Sequence, residues 1–181
     1  RDGELSVAEA AAVSDLSDVF MNNTTITSFD ELQFFTGLNA IGNNAFFGCT
    51  ALTSIEFPNS ITAIGNFAFY NCESLACSLT IPNSVTTIGE YAFTDCGFIG
   101  TLSLSNSLTT IGKFAFDSCE GFTGTLLIPS TVTTIGERAF SYCDGFSNLI
   151  FESFGSSLTT IGDWAFAFCS DIMGSLAIPD A

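Results

Sequence analysis

Ile88-Gly89-Glu90-Tyr91-Ala92-Phe93-Thr94-Asp95-Cys96 is one of six segments that share the pattern Ile-Gly-x-x-Ala-Phe-x-x-Cys. The others run Ile41 to Cys49, Ile64 to Cys72, Ile111 to Cys119, Ile135 to Cys143 and Ile161 to Cys169. Each Ile lies 8 positions before its Cys, and from each Cys to the next Ile the chain takes 15, 16, 15, 16 and 18 positions. Length varies in one half of the unit only. The constant half must therefore be a packed turn whose side chains stack on the copies above and below, while the variable half absorbs an extra residue in a loop. Periods of 23, 24, 23, 24 and 26 residues fall where a short strand plus one helical or irregular arc closes a solenoid coil.

Working outward from that motif, an apolar residue stands third after each Cys: Leu52, Leu75, Ile99, Phe122, Phe146 and Ile172. Short alternating runs follow, as in Leu79-Thr80-Ile81, Leu102-Ser103-Leu104 and Leu176-Ala177-Ile178, and period two with aliphatic residues predicts a strand. Pro58, Pro82, Pro129 and Pro179 close four of these strands, because proline removes a ladder donor. Next comes an arc such as Val85-Thr86-Thr87-Ile88, with inward residues three apart, and then the glycine column 42, 65, 89, 112, 136 and 162. The plainest reading of that glycine is a turn that only glycine makes cheaply. The Ala-Phe pair is expected on a single helical or 3-10 turn, with Phe plugging the core. One unit cannot bury its own Phe, Leu and Ile, but stacked units can.

The 181 residues are 47% hydrophobic and 12% charged, ample material for a core. Nineteen acids against three bases give a net charge of −16. Such a chain cannot neutralise a run of phosphates, so nucleic acid is excluded as a partner, as is a polybasic hold on anionic lipid. The absence of histidine removes the commonest general base and zinc ligand. No nucleophile elbow or carboxylate dyad is visible, so no catalytic residue is assigned and no enzyme activity is expected. No apolar run reaches the length of a membrane span. Opening at Arg1, the chain reads as part of something longer.

Residues 1–37 read as a helical cap and 38–181 as the solenoid. Leu5, Val7, Ala8, Ala11, Ala12, Leu16 and Val19 recur at helical spacing, and Ser28-Phe29-Asp30-Glu31 matches a capping box before a second short helix. Asp2-Gly3-Glu4-Leu5-Ser6-Val7-Ala8-Glu9 looks like the second half of an EF-hand loop, with Glu9 in the bidentate position. The alternative is a helix N-terminus with acids favouring its dipole, and no calcium or other metal is expected to be held by this chain.

Six of the seven cysteines share one repeat position, which points to a ladder of unbridged core thiols, since stacked side chains point the same way. Cys77 lies off that column.

Two surface columns are candidates for binding. The residue before Ala-Phe reads Asn44, Phe67, Tyr91, Phe114, Arg138 and Trp164. Facing outward, these form an aromatic stripe of hot-spot residue types; packed on one another, they merely cover the turns, which is the plainer reading. The outward side of the strands is mostly small and hydroxylic but turns apolar at Leu127 and Ile150.

Ile-Gly-x-x-Ala-Phe-x-x-Cys, followed by Leu and Ile-Pro-x-x-Val-x-x-Ile, resembles the BspA-like leucine-rich repeats of bacterial and some protozoan surface proteins, over about residues 38 to 181. The resemblance implies an α/β leucine-rich-repeat solenoid of six coils, with short parallel strands on one face and helical or 3-10 turns on the other. It implies a secreted or cell-surface, adhesin-like module of a bacterium that binds a host or extracellular-matrix protein or a mucin glycoprotein without catalysis or cofactor. The alternative is a spacer that presents another domain and binds nothing.

Overall fold

The computed structural model describes residues 6–152 and 157–173. Its strands follow one another as β1 (Ala40–Ile41), β2 (Ala63–Ile64), β3 (Leu79–Thr80), β4 (Thr87–Ile88), β5 (Leu102–Ser103), β6 (Thr110–Ile111), β7 (Gly124–Ile128), β8 (Thr134–Ile135), β9 (Phe146–Phe151) and β10 (Thr160–Ile161). One parallel sheet runs β1-β2-β4-β6-β8-β10, and shorter ladders join β3 to β5 and β7 to β9. From β1 to β10 the chain makes about five turns of a leucine-rich-repeat β-solenoid.

The continuous sheet lies where the sequence suggested an arc, at the residue pairs that end in Ile: Ala-Ile in β1 and β2, Thr-Ile in the later coils. The expected strands do appear as β3 and β5, whose Leu79 and Leu102 are paired 23 residues apart, as are Thr125 of β7 and Asn148 of β9. Between those two ladders the extra residue of a 24-residue coil intervenes, and only the isolated bridge Gly100 to Phe122 remains. The strands ending in Ile pair in every coil, across separations of 23, 24 and 26 residues alike. Each threonine before a strand also reaches back: Thr86, Thr109, Thr133 and Thr159 Oγ1 donate to the carbonyl of the coil below. The strand suggested at 176–178 lies outside the described residues.

The turns are not helices. In the first coil Ala45, Phe47 and Cys49 N–H bond three residues back, whereas Asn44, Phe46 and Gly48 N–H cross to the Asn66, Ala68 and Tyr70 carbonyls of the next coil at 3.0, 2.7 and 2.8 Å. Half the donors thus build an inter-coil ladder that a helix would keep within itself. Among the described residues helix is limited to α1 (Val7–Ala12) and a 3-10 turn at Asp30–Phe34; with helical content this small, the α/β class and the helical cap are not confirmed. The expected capping box at Ser28 does not form. Ser6 and Glu9 make one instead, Glu9 N–H donating to Ser6 Oγ and Ser6 N–H to the Glu9 carboxylate, which gives Glu9 a helix-start role. Asp2 and Gly3 of the EF-hand-like segment lie outside the described residues.

The glycine column also differs from expectation. None of these glycines has positive φ; the left-handed residues are their neighbours two positions on, Asn44, Phe67, Tyr91, Phe114, Arg138 and Trp164. What glycine permits is contact between stacked backbones. A Cβ on Gly112 would lie 2.5 Å from the Gly89 carbonyl carbon, and one on Gly89 2.7 Å from that of Gly65.

Inside, Phe46, Phe69, Phe93, Phe116 and Phe140 are fully buried and stack at 4.9 to 5.3 Å between centroids. Beside them the six column thiols each donate to the Phe carbonyl of the coil below, for example Cys72 Sγ to Phe46 O at 3.1 Å and Cys119 to Phe93 O at 3.1 Å. All seven cysteines are free. The N-terminal chain closes the bottom of the stack by imitating a turn. Phe20 stacks on Phe46 at 5.2 Å, its carbonyl accepts from Cys49 Sγ, and Asn22, with φ of 58°, donates to Phe47 O. Phe20-x-x-Asn23 is Phe-x-x-Cys with the thiol exchanged for an amide.

Candidate functional site

Two residues per coil adopt left-handed backbone on the turn flank: the one before Ala-Phe, and a second four positions later (Gly48, Asn71, Asp95, Ser118, Tyr142, Phe168). A side chain in that conformation projects away from the coil, which builds two parallel columns on the surface. For bulky residues such a φ is an outlier whose cost must be met by its surroundings.

In the first column Phe67 stacks on Tyr91 at 4.8 Å and Tyr91 on Phe114 at 4.6 Å, with planes within 5°. The Arg138 guanidinium then lies 5.7 Å from the Phe114 ring and 5.3 Å from that of Trp164. Phe67, Tyr91, Phe114 and Arg138 are half-buried, and Tyr91 and Phe114 each have a column neighbour on both sides, which leaves those two rings no open face for a sugar to stack on. Trp164 differs, at 57% exposure.

The second column was not read from the sequence as a surface feature. Tyr142 and Phe168 stack at 4.5 Å, and Phe168 lies 6.1 Å from Trp164. Arg138, Trp164, Phe168 and Tyr142 thereby form one patch across the last two described coils, with Phe168 51% and Tyr142 39% exposed. The signal was present in the spacing: Arg138 and Tyr142, like Trp164 and Phe168, stand four apart around the invariant Ala-Phe.

Electrostatically the patch is unusual for so acidic a chain. Lys113 pairs with Glu137 at 3.6 Å, whereas Arg138 makes no ion pair or side-chain hydrogen bond among the described residues. Asp117 feels its charge. Burial nonetheless holds the Asp117 carboxyl above the usual range, and Asp95 is raised by burial and by the charge of Glu73. The structure leaves Leu127 and Ile150 away from this flank, paired in register on β7 and β9 and exposed. Among the described residues, no group of three or more potential ligands is arranged to hold a metal ion.

This repeated coil, with its stacked Phe and Cys columns and short parallel strands, defines a leucine-rich-repeat solenoid. The family model of the BspA type leucine rich repeat region matches residues 17–147 and 123–180 in 6 copies. The chain belongs to that family. Its match begins at residue 17, so it includes the imitation turn at Phe20. Among solved structures, the chain is similar to a leucine rich repeat protein of T. pallidum, with a TM-score of 0.75 and 26% identity over 89% of this chain and 72% of that one. It also resembles a leucine-rich repeat protein from Bacteroides ovatus, with a TM-score of 0.60 and 24% identity over 82% of this chain and 43% of the other. A leucine rich cell surface protein from Faecalibacterium prausnitzii matches at a TM-score of 0.40 and 18% identity, over 86% of this chain and 61% of that one. No curated protein matches the chain.

Proposed function

We propose that this is a secreted or surface-displayed recognition module of a bacterium that binds a host or extracellular-matrix protein through its turn flank. Leucine-rich repeats are generally protein-interaction modules, and the fold is typically non-catalytic. The observation that carries the reading is the patch of Arg138, Tyr142, Trp164 and Phe168. Trp, Tyr and Arg are the residue types that dominate binding energy, and here they meet on one exposed surface. No helix among the described residues is long and apolar enough to cross a membrane.

Binding of the chain to immobilised matrix proteins and mucin tests this. Saturable binding that weakens about tenfold or more on Trp164→Ala or Phe114→Ala supports the flank. Binding that survives those changes but is lost on Leu127→Asp moves the site to the exposed face of β7 and β9, where Ile150 is its neighbour. Failure to bind any of these proteins leaves the spacer reading.

A further inference from the structure

In a chain with nineteen acids and three bases, an arginine is expected to find a carboxylate of its own. Arg138 has none. Its guanidinium carbon lies over both the Phe114 and the Trp164 ring, at 5.7 and 5.3 Å, while its N–H groups make no side-chain hydrogen bond among the described residues. A guanidinium clamped this way has already lost much of its rotamer freedom and presents a fixed fork of donors, the geometry that takes a carboxylate bidentately. The rings around that fork supply the apolar rim: Trp164 beside it, then Phe168 and Tyr142.

We infer that Arg138 is the anchor of a docking site for a single carboxylate side chain flanked by apolar residues on a partner protein. The inference rests on the turn flank being the recognition surface. The nearby charges narrow the partner further. Asp117 interacts with Arg138, Asp163 is exposed one residue before Trp164, and Glu137 is engaged with Lys113. Those carboxylates, in a chain of net charge −16, repel a run of acids but leave room for one isolated carboxylate that replaces water on the fork. The apolar neighbours of that carboxylate then cover Trp164 and Phe168 and exclude solvent from the ion pair.

The matched peptides acetyl-Leu-Glu-Leu-amide and acetyl-Leu-Gln-Leu-amide probe this directly. Each is titrated to millimolar concentration into the isotopically labelled chain while the Arg138 Nε–H and Trp164 Nε1–H resonances are followed. The Glu peptide is expected to shift both resonances and to bind about tenfold more tightly than the Gln peptide, and Arg138→Gln removes that preference. Arg138→Lys restores less than half of it, because a point charge lacks the fork. Equal response to the two peptides, or shifts at Trp164 without Arg138, overturns the carboxylate anchor while leaving the flank as a recognition surface. A response to sialyllactose with none to either peptide assigns the fork to an acidic sugar and overturns the inference. No response to any probe, together with protein binding lost on Trp164→Ala, likewise refutes the anchor and keeps the flank.

Discussion

Gly112→Ala isolates the reason for the glycine column. Gly112 has no positive φ, so backbone preference alone makes alanine favourable there by about 0.4–1 kcal/mol, through the unfolded chain. Packing says the reverse. The new Cβ would stand 2.5 Å from the Gly89 carbonyl carbon, 2.6 Å from its oxygen and 2.7 Å from Glu90 N, all backbone atoms of the neighbouring coil. These atoms are tied by the hydrogen bond from Gly112 N–H to Ile88 O at 2.9 Å, so relief requires the two coils to separate. Overpacking of this kind costs about 1–3 kcal/mol and more where the obstacle is rigid, leaving a net loss of about 2 kcal/mol. Gly124→Ala is the internal control. Gly124 has φ of 81° and nothing within 4 Å of its added Cβ, so it pays conformational strain alone, about 1 kcal/mol net. Urea unfolding followed by far-ultraviolet circular dichroism ranks the two variants. If Gly112→Ala is as stable as the parent, or less damaging than Gly124→Ala, stacked backbones do not select this glycine.

Two further outcomes follow from buried groups. Burial pushes the Cys49 thiol up to about 12 and raises those of Cys96, Cys119 and Cys143, as well as those of half-buried Cys77 and Cys169, so native-state labelling with a thiol reagent is expected to find no more than about one fast-reacting group; rapid labelling of several would contradict the ladder. Asp117 is raised from an ordinary 3.8, chiefly by burial, so its ionisation opposes folding. Its destabilising effect is absent below 3.8 and grows as pH rises through the raised value. Asp117→Asn is therefore expected to melt higher than the parent at pH 7, with the difference shrinking as pH falls towards 4. A constant difference across that range would remove Asp117 from the account.

The six-fold motif made the solenoid legible because a column of identical residues has few packed solutions. Phe46 to Phe140 and the thiols beside them stand where the spacing put them. What the spacing did not convey was which part of the coil would pair. Leu79-Thr80-Ile81 has the stronger strand pattern, yet its ladder is interrupted between β5 and β7. Thr87-Ile88 is too short to show a period and pairs throughout. The glycine column misled for a related reason, since one sequence shows that glycine is wanted but not whether φ or a neighbouring backbone wants it. Phe20 escaped notice because Asn23 replaces the diagnostic cysteine.

The left-handed positions separate what the fold needs from what it merely tolerates. Every coil uses the same turn, and the first fills its two left-handed sites with Asn44 and Gly48, the residue types that accept such a φ at least cost. The turn itself therefore does not call for large side chains. The last two described coils nevertheless place Arg138, Tyr142, Trp164 and Phe168 at the four equivalent positions, with φ between 52° and 63°. Each such residue costs about 1–2 kcal/mol in backbone strain, whereas an aromatic pair returns only about 0.5–1.5 kcal/mol. Stacking between Tyr142 and Phe168 and the hold of two rings on Arg138 offset part of that sum, and the exposed face of Trp164 offsets none. Stability favours Asn or Gly at these positions. Strain retained on an exposed surface, by the residue types that bind proteins best, is what a recognition surface on this flank requires and what an inert spacer does not.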